Sequence, residues 1–203
     1  MIDAKTVYEL RNRTGAGIVD CKSALEEAAG DMEKAIDVLK KKGAIKAAKK
    51  ISERSASEGV IATYVHHNGK LAAMVELACE TDFVARNEEF KMLANDLALQ
   101  VAAMDPQYVS PETIPAEEVE KKTQEFLAEL LSDNKPEDIK RKIVEGKLNK
   151  WYTDVCLIKQ AFIKNEEQTI EQLINEKVAK IGEKIVPTRF TRMQMAASGQ
   201  SNS

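Results

Sequence analysis

A change of hydrophobic period in the middle of the chain constrains the fold more than any other feature. Residues 60–67 and 71–79 alternate as strands do, whereas the segments on either side follow the helical repeat. The two alternating runs meet at Asn68-Gly69, a pair in which both residues tolerate positive φ and which therefore predicts a two-residue hairpin. In the second run Leu71, Ala73, Val75, Leu77 and Cys79 share one face, and Ala72, Met74, Glu76 and Ala78 share the other. An antiparallel hairpin set among helices is an α+β architecture. A chain of 203 residues can carry two small domains, or one ordinary domain and a small one.

The helical flanks divide readily. Asp3 is placed to cap a helix carrying Val7 and Leu10, which ends near Thr14-Gly15. Ile18, Cys21, Leu25 and Ala28 recur at helical spacing up to Gly30. Asp31 then caps a third helix with Met32, Ala35, Ile36 and Leu39 inward, closed by Gly43. A three-helix bundle this small suits presenting a surface better than enclosing a site. The expected domains are 1–54, the bundle with a basic linker; 55–195, the α+β core; and 196–203, a small, polar, disordered tail. Within the core, 86–104 reads as a helix with Phe90, Leu93, Leu97, Val101 and Met104 in one stripe. Pro106, Pro111 and Pro115 mark a loop with room for a short strand at Tyr108-Val109. Helices are expected over 116–131 and over 136–162, the latter with Pro136 at its first turn. Thr169 and Gln172 form a capping-box pattern ahead of Ile170, Leu173, Ile174 and Val178. Residues 185–195 read as a last strand, which Pro187 assigns to an edge or to a strand start.

Composition and motifs exclude most chemistry. A net charge of −3 argues against nucleic acid as the main ligand. The seven basic residues between Lys40 and Arg54 are a local exception, read as a solvated helix and linker. Cys21, Cys79 and Cys156 are odd in number and widely spaced, which suggests reduced thiols, two of them half-buried, and neither a disulfide framework nor a metal site. The polar start and the lack of a long apolar run predict no signal peptide, no membrane span and a cytoplasmic location. His66 and His67 are adjacent on a strand and so should point to opposite faces as turn-side residues. Glu80 and Asp82 could be paired carboxylates, but no third ligand or acid–base partner lies nearby. With no P-loop, nucleophile elbow or dinucleotide motif, the chain is expected to be no enzyme and to hold no metal or cofactor.

One segment stands apart. Thr81-Asp82-Phe83-Val84 follows a strand directly and precedes a helix whose apolar stripe starts at Phe90. By period alone, Phe83 tucks under that helix. The alternative is that Thr81 or Asp82 caps the next turn and holds an aromatic outward, the form of a binding hot spot.

Read as strings, the residues carry more. The run Thr14-Gly15-Ala16-Gly17-Ile18-Val19-Asp20-Cys21-Lys22-Ser23-Ala24-Leu25 resembles the N-terminal signature of the elongation factor Ts family. Glu80-Thr81-Asp82-Phe83-Val84-Ala85-Arg86-Asn87-Glu88-Glu89-Phe90 resembles its second signature. Gly146-Lys147-Leu148-Asn149-Lys150-Trp151-Tyr152 and Arg189-Phe190 fit as well, so the resemblance covers residues 1 to about 195. It implies a ubiquitin-associated-like N-terminal bundle, and a core with an antiparallel sheet and a helical hairpin. It also implies a partner, elongation factor Tu, bound both with GDP and free of nucleotide. In the family this loop enters the partner's nucleotide domain near Mg²⁺, and its phenylalanine wedges between two helices. By motif position Asp82 and Phe83 would do so here, framed by Thr81 and Val84. The longer members carry a duplicated core; this chain has one, as do the short members that pair as homodimers. A homodimer is therefore implied, with Val155, Ile158, Phe162 and the last strand as dimer surfaces or as cover for their own core.

Two other readings compete. A passive adaptor would use residues 1–57 and leave the Thr81–Val84 junction without a role. An RNA-binding protein would use the basic run and show steep salt dependence.

Overall fold

In the computed structural model residues 2–53, 55–130 and 136–195 are described, with backbone alone for 44–53. The expected disordered tail, 196–203, lies outside the described residues. The chain divides into two compact units. One comprises the residues up to 60 with 77–93 and 172–186; the other comprises 61–76, 94–171 and the residues from 187 on.

The first unit opens with α1 (Ala4–Thr14), α2 (Ile18–Glu27) and α3 (Met32–Glu53). Val7, Leu10, Cys21, Ala24, Leu25, Ala28 and Ala35 form their shared core, flanked by Ile2, Met32, Ile36 and Leu39. Asp3 occupies the cap position of α1 without a side-chain bond, whereas Asp31 accepts from the Lys34 backbone N–H at 3.1 Å. Gly43 does not close the third helix: α3 runs on to Glu53. An internal glycine costs about 1 kcal/mol relative to alanine, and the Ala- and Lys-rich sequence after Gly43, free of proline, outweighs it.

β1 (Glu58–Val65), β2 (Leu71–Cys79) and β5 (Ile185–Gln194) form a three-stranded sheet in the order β1-β2-β5. The hairpin turns at the expected place but through a longer connection than the two-residue turn expected: Gly69, alone of the pair at positive φ, donates to the His66 carbonyl, and His66 donates to Leu71. β5 runs antiparallel to β2, since Thr188 bonds the Glu76 carbonyl and Met195 that of Lys70. Pro187 accordingly sits on an edge strand. Ala73, Val75, Leu77 and Cys79 are buried, as the alternation requires. His66 and His67 depart from expectation: β1 ends at Val65, so the two rings meet at 4.2 Å instead of diverging, and the Tyr64 hydroxyl lies 2.9 Å from His66 Nδ1.

α4 (Asp82–Ala85) and α5 (Glu88–Met104) follow β2, and Phe90, Leu93, Leu97 and Val101 are fully buried along α5. Met104, at its last turn, is exposed. α6 (Ala116–Ala128) and α7 (Glu137–Val155) form the helical hairpin. α7 stops well short of residue 162. Cys156 is extended (φ −103, ψ 122), and Leu157 and Ile158 donate to the carbonyls of Tyr108 and Val109. The short strand expected at Tyr108 is this single bridge to Cys156. The chain then forms β3 (Ala161–Phe162) and β4 (Asn165–Thr169), an antiparallel pair absent from the sequence reading. Gln100 holds it in place, donating to the Ala161 carbonyl at 3.0 Å and accepting from the Ile163 N–H at 3.0 Å. Thr169 directly precedes α8 (Ile170–Ile181), which buries Ile170, Ile174 and Val178.

Gly59 is the tightest point of the first unit. A Cβ there would stand 2.2 Å from the Leu77 carbonyl oxygen and 2.9 Å from Ala78 Cα. Backbone of a strand cannot yield as a side chain can, so Gly59→Ala should destabilise by about 1–3 kcal/mol. Thermal unfolding should fall by roughly 3–10 °C; an unchanged midpoint would show that the strands separate freely.

Candidate functional site

The buried end of β2 fixes one side of the Thr81–Val84 segment. Thr81 is still extended (φ −127, ψ 153), and its hydroxyl oxygen accepts from the Val84 N–H, so α4 is capped as it begins. One turn of helix has two sides. Val84 and Ala85 are buried, while Phe83 is 80% exposed and Asp82 lies outward beside it.

Phe83 therefore does not tuck beneath the next helix. By period, 81–84 is a junction ahead of a helix from Arg86, whereas 82–85 form a separate turn, α4, and α5 begins at Glu88. Asn87 makes the break: its N–H donates to the Val84 carbonyl, and its side-chain oxygen accepts from Glu89 N–H at 2.8 Å. Phe90, in register with α5, fills the buried place instead. Asp82 pairs with Arg86 one turn on, 2.9 Å away, both side chains largely exposed.

The other side of the segment is fixed from far along the chain. Gly182 (φ +91) ends α8 in the left-handed region, which turns Glu183 and Lys184 toward residues 80 and 81. Thr81 donates to Glu183 twice, from its N–H to Oε2 at 3.1 Å and from its hydroxyl to Oε1 at 2.8 Å. In return the Lys184 N–H donates to Glu80 Oε1 at 2.6 Å. Glu80 and Asp82 are thus engaged separately, one with backbone and one with Arg86, and do not form a carboxylate pair. Lys177 and Lys180 of α8 both reach Glu89 on α5, and the Lys180 hydrogen bond above all holds that carboxyl below its ordinary range.

Sequence reasoning missed Glu183. The available signal was a helix stop at Gly182 followed by a charged pair, which shows a turn but not what the turn faces. The dimer surfaces expected from sequence are placed unevenly. Val155 and Phe162 are buried and Ile158 is half-buried, so these residues cover their own core. Among the described residues no cluster of three metal-ligating side chains occurs, and no helix is long and apolar enough to cross a membrane.

A family model described as elongation factor TS matches residues 19–184, a span that holds the whole of this junction, Glu183 included. The chain belongs to the elongation factor Ts family. It is 53% identical over 194 residues to elongation factor Ts of Syntrophus aciditrophicus, covering 96% of each chain. Against that of Thermosipho melanesiensis it is 54% identical over 192 residues, covering 95% of this chain and 97% of the relative. Against that of Desulforamulus reducens it is 50% identical over 194 residues, covering 96% and 89%. The helical N-terminal bundle and the α+β class are those the elongation factor Ts resemblance implied.

All three cysteines are free and buried, where two were expected to be half-buried. Cys79 donates its thiol proton to the Thr81 carbonyl, and burial with the nearby Glu183 charge pushes it up to about 11. Burial likewise pushes Cys156 up to about 11. At pH 8 Cys79 and Cys156 should react with a disulfide reagent on the order of a hundredfold slower than in guanidinium. Rapid native reaction at Cys79 would show that the junction opens.

Proposed function

We propose that this chain is a guanine-nucleotide exchange factor for elongation factor Tu, with Phe83 as its working wedge and Asp82 beside it. The observation that carries the reading is a phenylalanine 80% exposed on a turn that is capped, anchored by buried Val84 and tied to a distant turn. An exposed aromatic on a rigid support loses little conformational freedom on binding, which is what a hot spot needs. The exchange step follows from linkage. Mg²⁺ neutralises phosphate oxygens in the partner and anchors its nucleotide. A wedge that favours the nucleotide-poor shape lowers GDP affinity by the same factor by which GDP lowers the wedge's own affinity. No bond in either protein need be made or broken. In this reading the factor acts in the cytoplasm without a cofactor, nucleic acid or membrane, and residues 1–54 are a separate contact module.

Phe83→Ala should slow stimulated release of fluorescent GDP from elongation factor Tu by about 30-fold, the effect of a hot-spot truncation of about 2 kcal/mol. The melting temperature should stay within a degree or two, since the ring is outside the core. Release at the wild-type rate would remove Phe83 from the mechanism and favour a passive adaptor.

We also propose that the chain pairs as a homodimer through the outer face of its sheet. Ile61 and Val65 on β1, Met74 on β2 and Met193 on β5 are all exposed on the side turned away from buried Ala62, Ala73 and Val75. A sheet with one buried face and apolar residues on the other supports pairing with a second sheet. Sedimentation should give twice the 22.5 kDa chain mass, and Met74→Glu should return it to that of one chain. A wild-type monomer at micromolar concentration would count against the pairing.

A further inference from the structure

We infer that Glu183 is a positioning residue for the Thr81–Val84 segment, acting through Thr81 to keep Phe83 presented; as a role in exchange, this rests on the reading above. Thr81 and Glu183 are 102 residues apart yet joined by two hydrogen bonds, at 3.1 and 2.8 Å.

A threonine hydroxyl has one hydrogen to give and two lone pairs to offer, and an ionised carboxylate can only accept. Glu183 therefore takes the hydroxyl hydrogen and leaves a lone pair of the same oxygen for the Val84 N–H. That second bond, the cap of α4, is long at 3.4 Å and weak by itself. The bonds to Glu183 are shorter and charge-assisted, so they set the orientation that the cap then uses. Without the carboxylate the hydroxyl is free to turn its hydrogen elsewhere, and the single turn holding Phe83 loses its director.

Glu183 is itself well held. On one side the Gly182 N–H donates to the Val178 carbonyl at the end of α8, and on the other Ile185 is fully buried. The Lys184 N–H bond to Glu80 closes the same turn from the opposite direction. A side chain anchored on both flanks can position another; a side chain on a free loop could not.

The test uses the full chain and two readouts. In stimulated GDP release from elongation factor Tu, Glu183→Ala should lower the maximal rate about fivefold, as loss of a charge-assisted bond of about 1 kcal/mol implies, and Glu183→Gln should fall between. The half-saturating concentration should move less than twofold. In a Phe83→Ala background the same change should cost less than twofold, since there is no ring left to position. An equal fivefold loss in both backgrounds, or no loss in the wild-type background, overturns the inference. Amide hydrogen exchange supplies the readout that does not depend on exchange activity. Residues 82–85 should exchange faster in Glu183→Ala and Glu183→Gln while Ile174 and Val178 are unchanged. Unchanged protection at 82–85 overturns the positioning role even where Phe83→Ala slows release. Faster exchange there, with Phe83→Ala fully active, upholds the positioning and sinks the exchange reading instead.

Discussion

The Thr81 hydroxyl is the constraint on which the presented loop depends. It caps α4 by accepting from Val84, and it donates to a carboxylate 102 residues away. A single helical turn has no stability of its own, because nucleation fixes several residues for one bond. α4 persists because its inner side, Val84 and Ala85, is buried and its capping residue, Thr81, is held from outside. The outward direction of Phe83 follows from those two facts, since neighbours on one turn cannot all face the core.

In the exchange reading proposed above, that arrangement would matter because rate comes from differential binding. A flexible loop would spend much of its contact energy on ordering itself in the complex. A loop already ordered can direct the same contact toward distorting the partner. An exchange factor of this kind speeds release and rebinding alike; the nucleotide that ends up bound is set by relative concentrations, not by the factor.

The hairpin was legible because Asn68-Gly69 and the period-two alternation are local signals, and so was the buried stripe of α5. What escaped was set by partners distant in sequence. α7 ends at Val155 because residues 107–109 draw the next backbone groups into a bridge. The period alone favoured a tucked Phe83 because it could not see that 82–85 form a turn of their own, separated from α5 at Asn87. The His66 and His67 rings converge because the strand ends two residues earlier than the alternation suggested. The identity of the loop as a signature was readable as a string, but its brace by Glu183 has no local pattern at all.

The titratable groups point the same way as the loop geometry. A site doing acid–base or nucleophilic work gathers perturbed groups in a cleft, with carboxyls raised or thiols lowered to match the reaction. Among the described residues the shifts run opposite. Glu76 is held low by Thr188 and Arg189, Glu89 by Lys180 and Lys177, and Glu125 by Lys122, each in a clamp between or within elements. The thiols are all raised by burial, so none is poised as a nucleophile. These charges hold elements in place; apart from them, Glu183 accepts from Thr81 across 102 residues. In the proposed reading, what the chain offers a partner is a shape: an outward aromatic on a stiffened turn.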